Sequence, residues 1–434
     1  MSLPPTEFPT TWPESGIVQL PESVAVAQAV LAQAEPLRSD PAFRKAFFGQ
    51  MGIRHGDARL IAPINENAAY LWDETIQPSG SYKSCGASFA TLMLPEGTTG
   101  IATFSTGNHG TSVAIAGSRR GLPVRVATPA SIIPPKKDCL RAAGAEVLTK
   151  DPRTDRDHQT FREAEDTARY LQTQGLALIE PFGNLDVVAG QCKVGLEMVE
   201  QLIELDLADK TVVIPVSMAG GGHISGIAIP VWEAKQQGRL GPNIHVVGVQ
   251  PERTNALDRA LTKLGLGEAA INLFGAEGPD MACDALAITE ASLSPMTAAI
   301  VNDPNFVSAR YTVDNVTIGR ALIALEETLG HPVEAAAALP YALAMLHEGQ
   351  PLTFVLPVSG RNYSPEALAN YKRLVRVDDS RQRQIAHAAA NVTADARRAA
   401  FENFSLAYLN RRRHGLDEAV RSRTPGSSRR SGHI

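Results

Sequence analysis

The feature that most limits the fold of this chain is a regular alternation of short apolar strands and helices between residues 100 and 148. The pattern predicts strands at 100–104, 124–127 and 146–148, and helices at 111–120 and 134–143. Strands that alternate with helices of about ten residues are typical of βαβ units and a parallel sheet. Similar apolar strands recur at 212–216, 246–249 and 354–357. The sequence therefore predicts an α/β fold.

The charge of the chain is concentrated at its carboxyl end. Residues 381–434 contain eleven arginines and four acidic residues, a net +7, so the remainder carries −12 of the overall −5. A basic segment can bind nucleic acid, but this one ends in TPGSSRRSGHI, a composition that favours a solvated tail. We therefore expect a basic extension over 381–434, helical and then disordered, and no nucleic-acid partner.

Neither the amino terminus nor the apolar segments indicate export or membrane insertion. The opening MSLPPTEFPT lacks the basic start and apolar core of a signal peptide. The uncharged run 211–232 is interrupted by Gly220, Gly221, Gly222 and His223, which favours a strand, a loop and a helix over a membrane span. The four cysteines are widely spaced and form no CxxC pair, as expected for reduced thiols. These features predict a cytoplasmic protein without a membrane partner.

Two motifs place reactive or ligand-binding side chains at the start of helices. In QPSGSYKSCGAS, residues 77–88, Lys83 follows a turn and opens a helix, where the positive peptide ends favour its neutral amine. A neutral amine is what Schiff-base chemistry requires, although a lone lysine is more often a surface residue. STGNHG, residues 105–110, lies between a strand and a helix and could hold a carboxylate on backbone N–H groups, although alone it could be only a turn.

Two further motifs follow strands later in the chain. SMAGGGHISG, residues 217–226, could cradle a phosphate on backbone N–H groups, and the alternative is a flexible linker. LPVSGRN, residues 356–362, is a strand that ends in a polar turn. Open α/β sheets commonly bind ligands at the carboxyl ends of their strands. Each motif alone is weak, but their order along the chain is informative.

Taken together, the four motifs resemble the pyridoxal-phosphate (PLP) dependent threonine dehydratase and serine racemase family, of the tryptophan-synthase-β-like fold type II. The family's PTGSFKxRGA, SxGNHA or SxGNHG, GGGGL and SGGN correspond here to PSGSYKSCGA, STGNHG, AGGGH and SGRN. Weaker similarities occur at 134–147, 180–191, 284–287 and 332–337. The resemblance spans about residues 60–365 and implies two α/β domains with the cofactor in the cleft between them. We expect a large domain of 1–87 and 186–380, and a small one of 88–185.

The resemblance implies a role for each matched position in binding the cofactor. Lys83 would carry PLP as an imine and then remove the Cα proton, and the ring of Tyr82 would pack against the cofactor. Asn108 would hydrogen-bond the cofactor's phenolate oxygen, and Ser359 would face its pyridine nitrogen. The phosphate would be held by the loop that contains Ala219, Gly220, Gly221, Gly222 and His223. The family's metal site has no clear matching ligands here, so we expect no metal.

The substrate is expected to be a small amino acid bound opposite this lysine. The resemblance implies that its carboxylate is held by the 105–109 loop, which contains Ser105, Thr106, Gly107 and His109. A hydroxyl at the position of Thr106 could reprotonate the far face of Cα, as in serine racemases, so Thr106 is a second candidate catalytic residue.

Several positions depart from the family pattern, and they affect substrate choice more than fold. Cys85 replaces an arginine, Ala219 replaces the first glycine of the phosphate loop, His223 replaces a leucine, and Arg361 replaces a glycine. The Cβ of Ala219 restricts the dihedrals available to that loop. Arg361 and His223 could bring cationic groups to the active site and favour an acidic substrate. Alternatively, Arg361 restores the charge that is missing at Cys85.

The sequence therefore predicts a PLP-dependent lyase that eliminates a β-substituent from a small hydroxy- or β-substituted amino acid, releasing a 2-oxo acid and ammonia. A serine that faces the pyridine nitrogen leaves the ring unprotonated, which favours β-elimination over transamination. Three alternatives remain open: β-replacement, amino-acid racemisation, and a regulatory protein that binds PLP without turnover. The family often forms dimers, so a homodimer is expected.

Overall fold

The computed structural model describes residues 21–252, 256–263, 271–272, 294–347 and 351–385. In these ranges the helices are α1 (Ser23–Gln33), α2 (Glu35–Arg38), α3 (Pro41–Gly49), α4 (Lys83–Met93), α5 (Asn108–Arg119), α6 (Pro134–Ala142), α7 (Phe161–Thr173), α8 (Leu185–Glu204), α9 (Gly222–Gln236), α10 (Ala256–Lys263), α11 (Pro295–Asn302), α12 (Asn315–Leu329), α13 (Ala335–Leu346) and α14 (Pro365–Ile385). The strands are β1 (Ala58–Leu60), β2 (Ala68–Asp73), β3 (Ile101–Phe104), β4 (Val124–Ala127), β5 (Ala145–Leu148), β6 (Ala177–Leu178), β7 (Val212–Ser217), β8 (Ile244–Pro251), β9 (Ile271–Asn272), β10 (Ala309–Val313) and β11 (Thr353–Val358).

The larger sheet has seven strands in the order β1-β2-β11-β7-β8-β10-β9. Its neighbouring strands run parallel, except that β1 pairs antiparallel with β2. In the centre, Val212 of β7 pairs with Ile244 of β8, and all eight residues of β8 are buried. Strands covered on both faces read as continuous apolar runs, which is why 212–216 and 246–249 could be recognised in the sequence.

The smaller sheet has four parallel strands in the order β5-β4-β3-β6. It contains the alternating segment recognised in the sequence, and the predicted α/β fold is confirmed. Its strands lie between residues 101 and 178, inside the range 88–185 predicted for the small domain. The predicted limit at 87/88 falls inside α4 and the limit at 185/186 falls at the start of α8, and both limits stay predictions. The predicted extension lies outside the described residues except for 381–385, which end α14.

One helix begins earlier than the sequence predicts. Helix α5 starts at Asn108, whereas the turn residues of STGNHG suggested a start at Thr111. The backbone N–H of Thr111 donates to the carbonyl of Gly107 at 3.1 Å, and the Ser112 hydroxyl donates to the carbonyl of Asn108 at 2.6 Å. These contacts extend the helix through residues that are usually found in turns, so Asn108 and His109 lie in its first turn.

Helix α8 packs closely against both α4 and α9. A Cβ atom at Gly190 would lie 2.4 Å from Cβ of Phe89 on α4, and one at Gly195 would lie 2.5 Å from the carbonyl oxygen of Gly226 on α9. Heavy atoms do not approach so closely, so these positions accept only glycine without movement of the neighbouring helices. The two glycines therefore set how near α4 and α9 lie to α8.

This packing makes Gly195→Ala destabilising, although alanine is the better helix former. We expect it to lower the free energy of unfolding by about 1–3 kcal/mol because the new methyl group overpacks the contact with α9. Gly49→Ala at the end of α3 is the matched control, since a Cβ atom added there would meet nothing within 4 Å. The control should not destabilise. Urea unfolding midpoints of the three proteins measure the difference, and equal midpoints for Gly195→Ala and wild type would contradict this packing.

Candidate active site

One cavity brings together residues from all four sequence motifs. It lies where β3, β7 and β11 end and where α4, α5 and α9 begin, the edge at which parallel sheets usually bind ligands. Every predicted site residue except Arg361 lines it, namely Tyr82, Lys83, Ser105, Thr106, Gly107, Asn108, His109, Ala219, Gly220, Gly221, Gly222, His223 and Ser359. The wall also contains residues to which the sequence analysis gave no role, namely Phe104, Lys136, Phe161, Pro181, Phe182, Ser217, Glu334, Ala336 and Asn362.

Lys83 is the first residue of α4, and its amine lies in the cavity wall. Its Nζ donates to the carbonyl oxygen of Pro181 at 3.0 Å and lies 5.2 Å from the ring centroids of both Tyr82 and Phe182. Loss of surrounding water lowers the pKa of Lys83 to about 7. A large fraction of the amine is therefore neutral near neutral pH. The sequence analysis expected this neutrality from the helix terminus, whereas the structure adds desolvation as its cause.

Residues 105–110 run from the end of β3 into the first turn of α5 and face the same cavity. The hydroxyl of Ser105 accepts the backbone N–H of Gly107 at 3.1 Å, which fixes the loop just before the helix. The first N–H groups of a helix have no partner within the helix, so the start of α5 can bind an anion. Thr106 also lines the cavity. The arrangement suits the carboxylate of a small substrate.

His109, in the first turn of α5, is a neutral imidazole. Burial lowers its pKa to about 3, and the charge of Lys83 acts in the same direction. Its Nε2 lies 3.1 Å from the carbonyl oxygen of Ile179, which can only accept, so Nε2 carries the ring proton. His109 therefore adds no positive charge to the cavity near neutral pH.

The glycine loop between β7 and α9 forms a cradle with room for an anion. Gly221, at the N-cap of α9, has φ of 82°, a conformation that favours glycine. A Cβ at Gly220 would lie 2.2 Å from the ring of Phe182, and the Thr297 hydroxyl donates to the Gly220 carbonyl at 2.6 Å. Ala219 is not among the described residues with positive φ, so its Cβ does not strain the loop. The loop ends at a helix N-terminus, as phosphate sites do.

Ser359 follows β11 and lies next to the lysine segment. Its Oγ accepts the backbone N–H of Tyr82 at 2.9 Å. Because this contact uses a lone pair of the oxygen, the hydroxyl proton of Ser359 remains available for another acceptor. Burial, and secondarily the nearby carboxylate of Glu334, raise the pKa of Tyr82, so its phenol stays protonated.

Glu334 is a buried carboxylate of the cavity that the sequence analysis did not single out. Its Oε1 accepts the side-chain amide of Asn108 at 2.8 Å and the backbone N–H of Asn362 at 3.0 Å. The amide of Asn362 in turn donates to Oδ1 of Asn108. The only sequence signal for Glu334 was the weak family similarity over 332–337. Glu334 and Asn362 together hold the amide of Asn108 in one orientation.

Arg361 does not line the cavity, and its side chain is exposed. Neither interpretation of Arg361 is supported by this position, because it brings no charge to the cavity and does not replace the charge missing at Cys85. Instead, the buried amine of Lys193 on α8 interacts electrostatically with the buried Cys85. Lys193 donates to the carbonyl oxygen of Arg54 at 2.8 Å and to Glu197 at 2.7 Å. The cation of Lys193, on α8, thus lies near Cys85 in the lysine segment.

A lysine with a neutral amine, a glycine cradle at a helix N-terminus and a serine beyond the last sheet strand together define an enzyme of the fold type II PLP class. The family model described as "Pyridoxal-phosphate dependent enzyme" matches residues 58–360, more than half of the chain. The chain belongs to this family. The predictions of the family, of an enzyme and of PLP as its cofactor are confirmed, and the cradle, the lysine and the serine fit that group.

Relatives and solved structures agree with this assignment. The chain is 30% identical to a protein named serine racemase from Oryza sativa subsp. indica over 63% of this chain and 73% of the relative. It is 29% identical to a beta-hydroxyaspartate dehydratase of Paracoccus denitrificans over 62% of this chain and 76% of the relative. The crystal structure of a threonine deaminase from T.th. is similar with a TM-score of 0.58 and 29% identity, over 74% of this chain and 98% of that one. The dehydratase and deaminase names support the predicted enzyme of lyase type.

The sequence analysis predicted neither a membrane span nor a metal site. Across the described ranges, none of the helices has both the length and the apolar character needed to span a bilayer. Within the same part of the chain, no group of three or more His, Cys, Asp or Glu side chains is arranged to hold a metal ion. The weak similarity at 284–287 lies outside the described residues.

The desolvated amine of Lys83 should reduce the stability of the cofactor-free protein, and the reduction should depend on pH. A lysine whose pKa is lower in the folded state destabilises most below about pH 7, where its amine must carry a charge in both states. The cost falls as the pH rises from about 7 to the ordinary pKa of lysine, because the unfolded state then binds more protons than the folded state. Lys83→Met should therefore raise the thermal unfolding midpoint, and more at pH 6 than at pH 9. Lys210→Met, which removes an exposed amine, should change the midpoint little at either pH. A stabilisation that did not depend on pH would argue against a desolvated amine.

Proposed function

We propose that this enzyme catalyses β-elimination on a small hydroxy- or β-substituted amino acid and releases a 2-oxo acid and ammonia. The observation that carries the proposal is the pairing of a neutral lysine amine with a serine, rather than a carboxylate, at the end of β11. The dehydratase and deaminase relatives support the same reaction type. The proposed roles of the individual residues are those that the family resemblance implies, and their positions in the cavity are compatible with these roles.

The residues that would hold PLP come from three parts of the cavity. Lys83 would bind its carbonyl carbon, the loop of Ala219, Gly220, Gly221 and Gly222 would bind its phosphate on backbone N–H groups, and Asn108 would donate to its phenolate oxygen. Asn108 has two amide hydrogens, and its contact with Glu334 uses one of them. When bound, the cofactor withdraws electrons from Cα of the substrate and stabilises the negative charge that develops there.

The chain's own residues then direct the fate of the substrate. The start of α5, with Ser105 and Gly107, would hold the carboxylate and orient the Cα–H bond toward Lys83, whose neutral amine accepts the proton. The hydroxyl of Ser359 can donate a hydrogen bond to a ring nitrogen but cannot supply the charge of a carboxylate. The ring would stay unprotonated and withdraw electrons less strongly, which favours rapid loss of a β-substituent over transamination.

The substrate class that the cavity favours is an amino acid with a second carboxylate or another acidic group. Arg361 no longer supports this idea, but Lys136 on α6 lines the cavity and supplies a cation from a different helix. The similarity to a beta-hydroxyaspartate dehydratase points to the same substrate chemistry. We therefore expect 3-hydroxyaspartate to be used better than serine or threonine.

A panel of amino acids tests the proposal. Purified enzyme with PLP is assayed for 2-oxo acid and ammonia with L- and D-serine, threonine, 3-hydroxyaspartate, diaminopropionate and O-acetylserine. We expect release from at least one of them, with a cofactor absorbance band that disappears in Lys83→Ala. Lys136→Met should lower kcat/KM for 3-hydroxyaspartate about tenfold, as expected for one charged hydrogen bond, and should leave threonine nearly unchanged. Bound PLP without release of an oxo acid from any substrate would overturn the lyase assignment.

Racemisation is a second candidate because the hydroxyl residue Thr106 lies in the cavity and a relative is named serine racemase. If Thr106 delivers a proton to the far face of Cα, Thr106→Ala should lose racemase activity while it keeps at least a tenth of its oxo-acid release. The magnitude follows from the roughly hundredfold contribution of a positioned proton donor to the step it serves. Chiral chromatography of serine after incubation measures the first activity. Equal losses of both activities would mean that Thr106 only binds the substrate.

The homodimer and the cytoplasmic location also stay proposals.

A further inference from the structure

His223 lines the cavity, but the reaction proposed above gives its side chain no role. It is the second residue of α9, directly after the glycines of the 219–222 loop, and the family pattern has leucine there. Only 5% of the side chain is exposed, and it lines the cavity. A leucine would fill a buried position at lower cost than a ring that carries two polar nitrogens.

The ring of His223 stacks on that of Tyr82, with centroids 3.9 Å apart and planes 10° from parallel. Its Nε2 is fully buried and has no hydrogen-bond partner within the described residues. An unpartnered buried nitrogen costs free energy, and stacking alone could be supplied by phenylalanine. The nitrogens therefore point to a ligand as the missing partner.

The position of His223 in the helix indicates which ligand this is. Side chains of an α-helix lean toward its N-terminus, so a residue in the first turn of α9 reaches back over the end of the glycine loop. The same end of the helix presents unpaired backbone N–H groups and the positive end of the helix dipole. The imidazole of His223 and the glycines of the loop line the same cavity, so both face the space where an anion would bind.

We propose that His223 donates a hydrogen bond to the phosphate of bound PLP and thereby completes the phosphate site of the 219–222 loop. The inference rests on the proposed role of that loop. Burial, and then the charge of Lys83, lower the pKa of His223 to about 3. The side chain is therefore a neutral imidazole with one N–H group to donate before the anion binds.

The distal carboxylate of an acidic substrate has the same hydrogen-bonding chemistry as the phosphate. We favour the phosphate because His223 follows the glycines directly, whereas the residue proposed to meet the distal carboxylate is Lys136 on α6. The two sources differ in what a loss of His223 would change. Contact with phosphate affects the binding of the cofactor, and contact with the substrate affects KM.

The test compares the affinity of the cofactor-free enzyme for PLP and for pyridoxal, which lacks the phosphate, by equilibrium dialysis. His223→Phe keeps a flat ring on Tyr82 but removes the nitrogens. We expect it to weaken PLP binding about tenfold to a hundredfold, the range for a hydrogen bond to a charged group, and to leave pyridoxal binding unchanged. His223→Asn restores a donor without the ring and should recover part of the loss. His109→Gln, at the other cavity histidine, should preserve the ratio of the two affinities.

A second measurement uses the holoenzyme. The ³¹P NMR resonance of bound PLP should move in His223→Phe and should stay in place in His109→Gln. If His223→Phe changes neither the resonance nor the ratio of affinities, the ring only stacks on Tyr82 and the proposal is wrong. A normal ratio with a raised KM for 3-hydroxyaspartate would assign the contact to the substrate and also overturn it. Failure of the proposed reaction is recognised separately, by PLP bound at Lys83 without oxo-acid release.

Discussion

The geometry of the site depends on the close contact of α8 with α4 and α9. Lys83 is the first residue of α4, and the glycine cradle is the N-terminus of α9, so the two helices carry the two halves of the proposed cofactor site. Gly190 and Gly195 let both helices lie against α8 at distances that a methyl group would prevent. A close three-helix contact thus sets the separation between an amine and an anion cradle that lie more than a hundred residues apart in sequence.

A buried ion pair on α8, with its hydrogen-bonding partners, stabilises this arrangement. Lys193 and Glu197 on α8 form a buried pair, and Lys193 also donates to the carbonyl oxygen of Arg54. The backbone of Arg54 in turn makes two hydrogen bonds with the side-chain amide of Gln77, the residue that opens the lysine motif. A buried ion pair is tolerated only when its remaining hydrogen-bonding groups are satisfied, and here residues 54–56 supply those partners. The network therefore connects the lysine segment, through Gln77 and Arg54, to the buried pair on α8.

Local sequence patterns were sufficient to predict most of the strands. The family resemblance of the four motifs implied fourteen site residues, and thirteen of them line the cavity. Those residues lie between an apolar strand and a helix or in the first turn of the helix. There the residue type and its place relative to the strand and helix could both be recognised in the sequence. Glu334 and Lys193 could not be found in this way because their hydrogen-bonding partners, Asn108 and Arg54, are far from them in the sequence. Arg361 is the proposed site residue that does not line the cavity. It follows Gly360, whose φ of 123° is one that other residues rarely adopt, and the direction of the chain after such a residue cannot be read from the sequence.

The electrostatics of the cavity have a single main cause, because the largest contribution to the low pKa values of Lys83, His109 and His223 is burial in each case. A lysine that relied on a neighbouring cation for its neutrality could keep it in an open, wet site. Lys83 cannot, since water that entered the cavity would solvate its charged form and raise its pKa. The amine of Lys83 therefore stays neutral only while water is excluded from the site. Substitutions that widen the cavity wall at Phe182 or Tyr82 would weaken both together, even where they leave the position of Nζ unchanged.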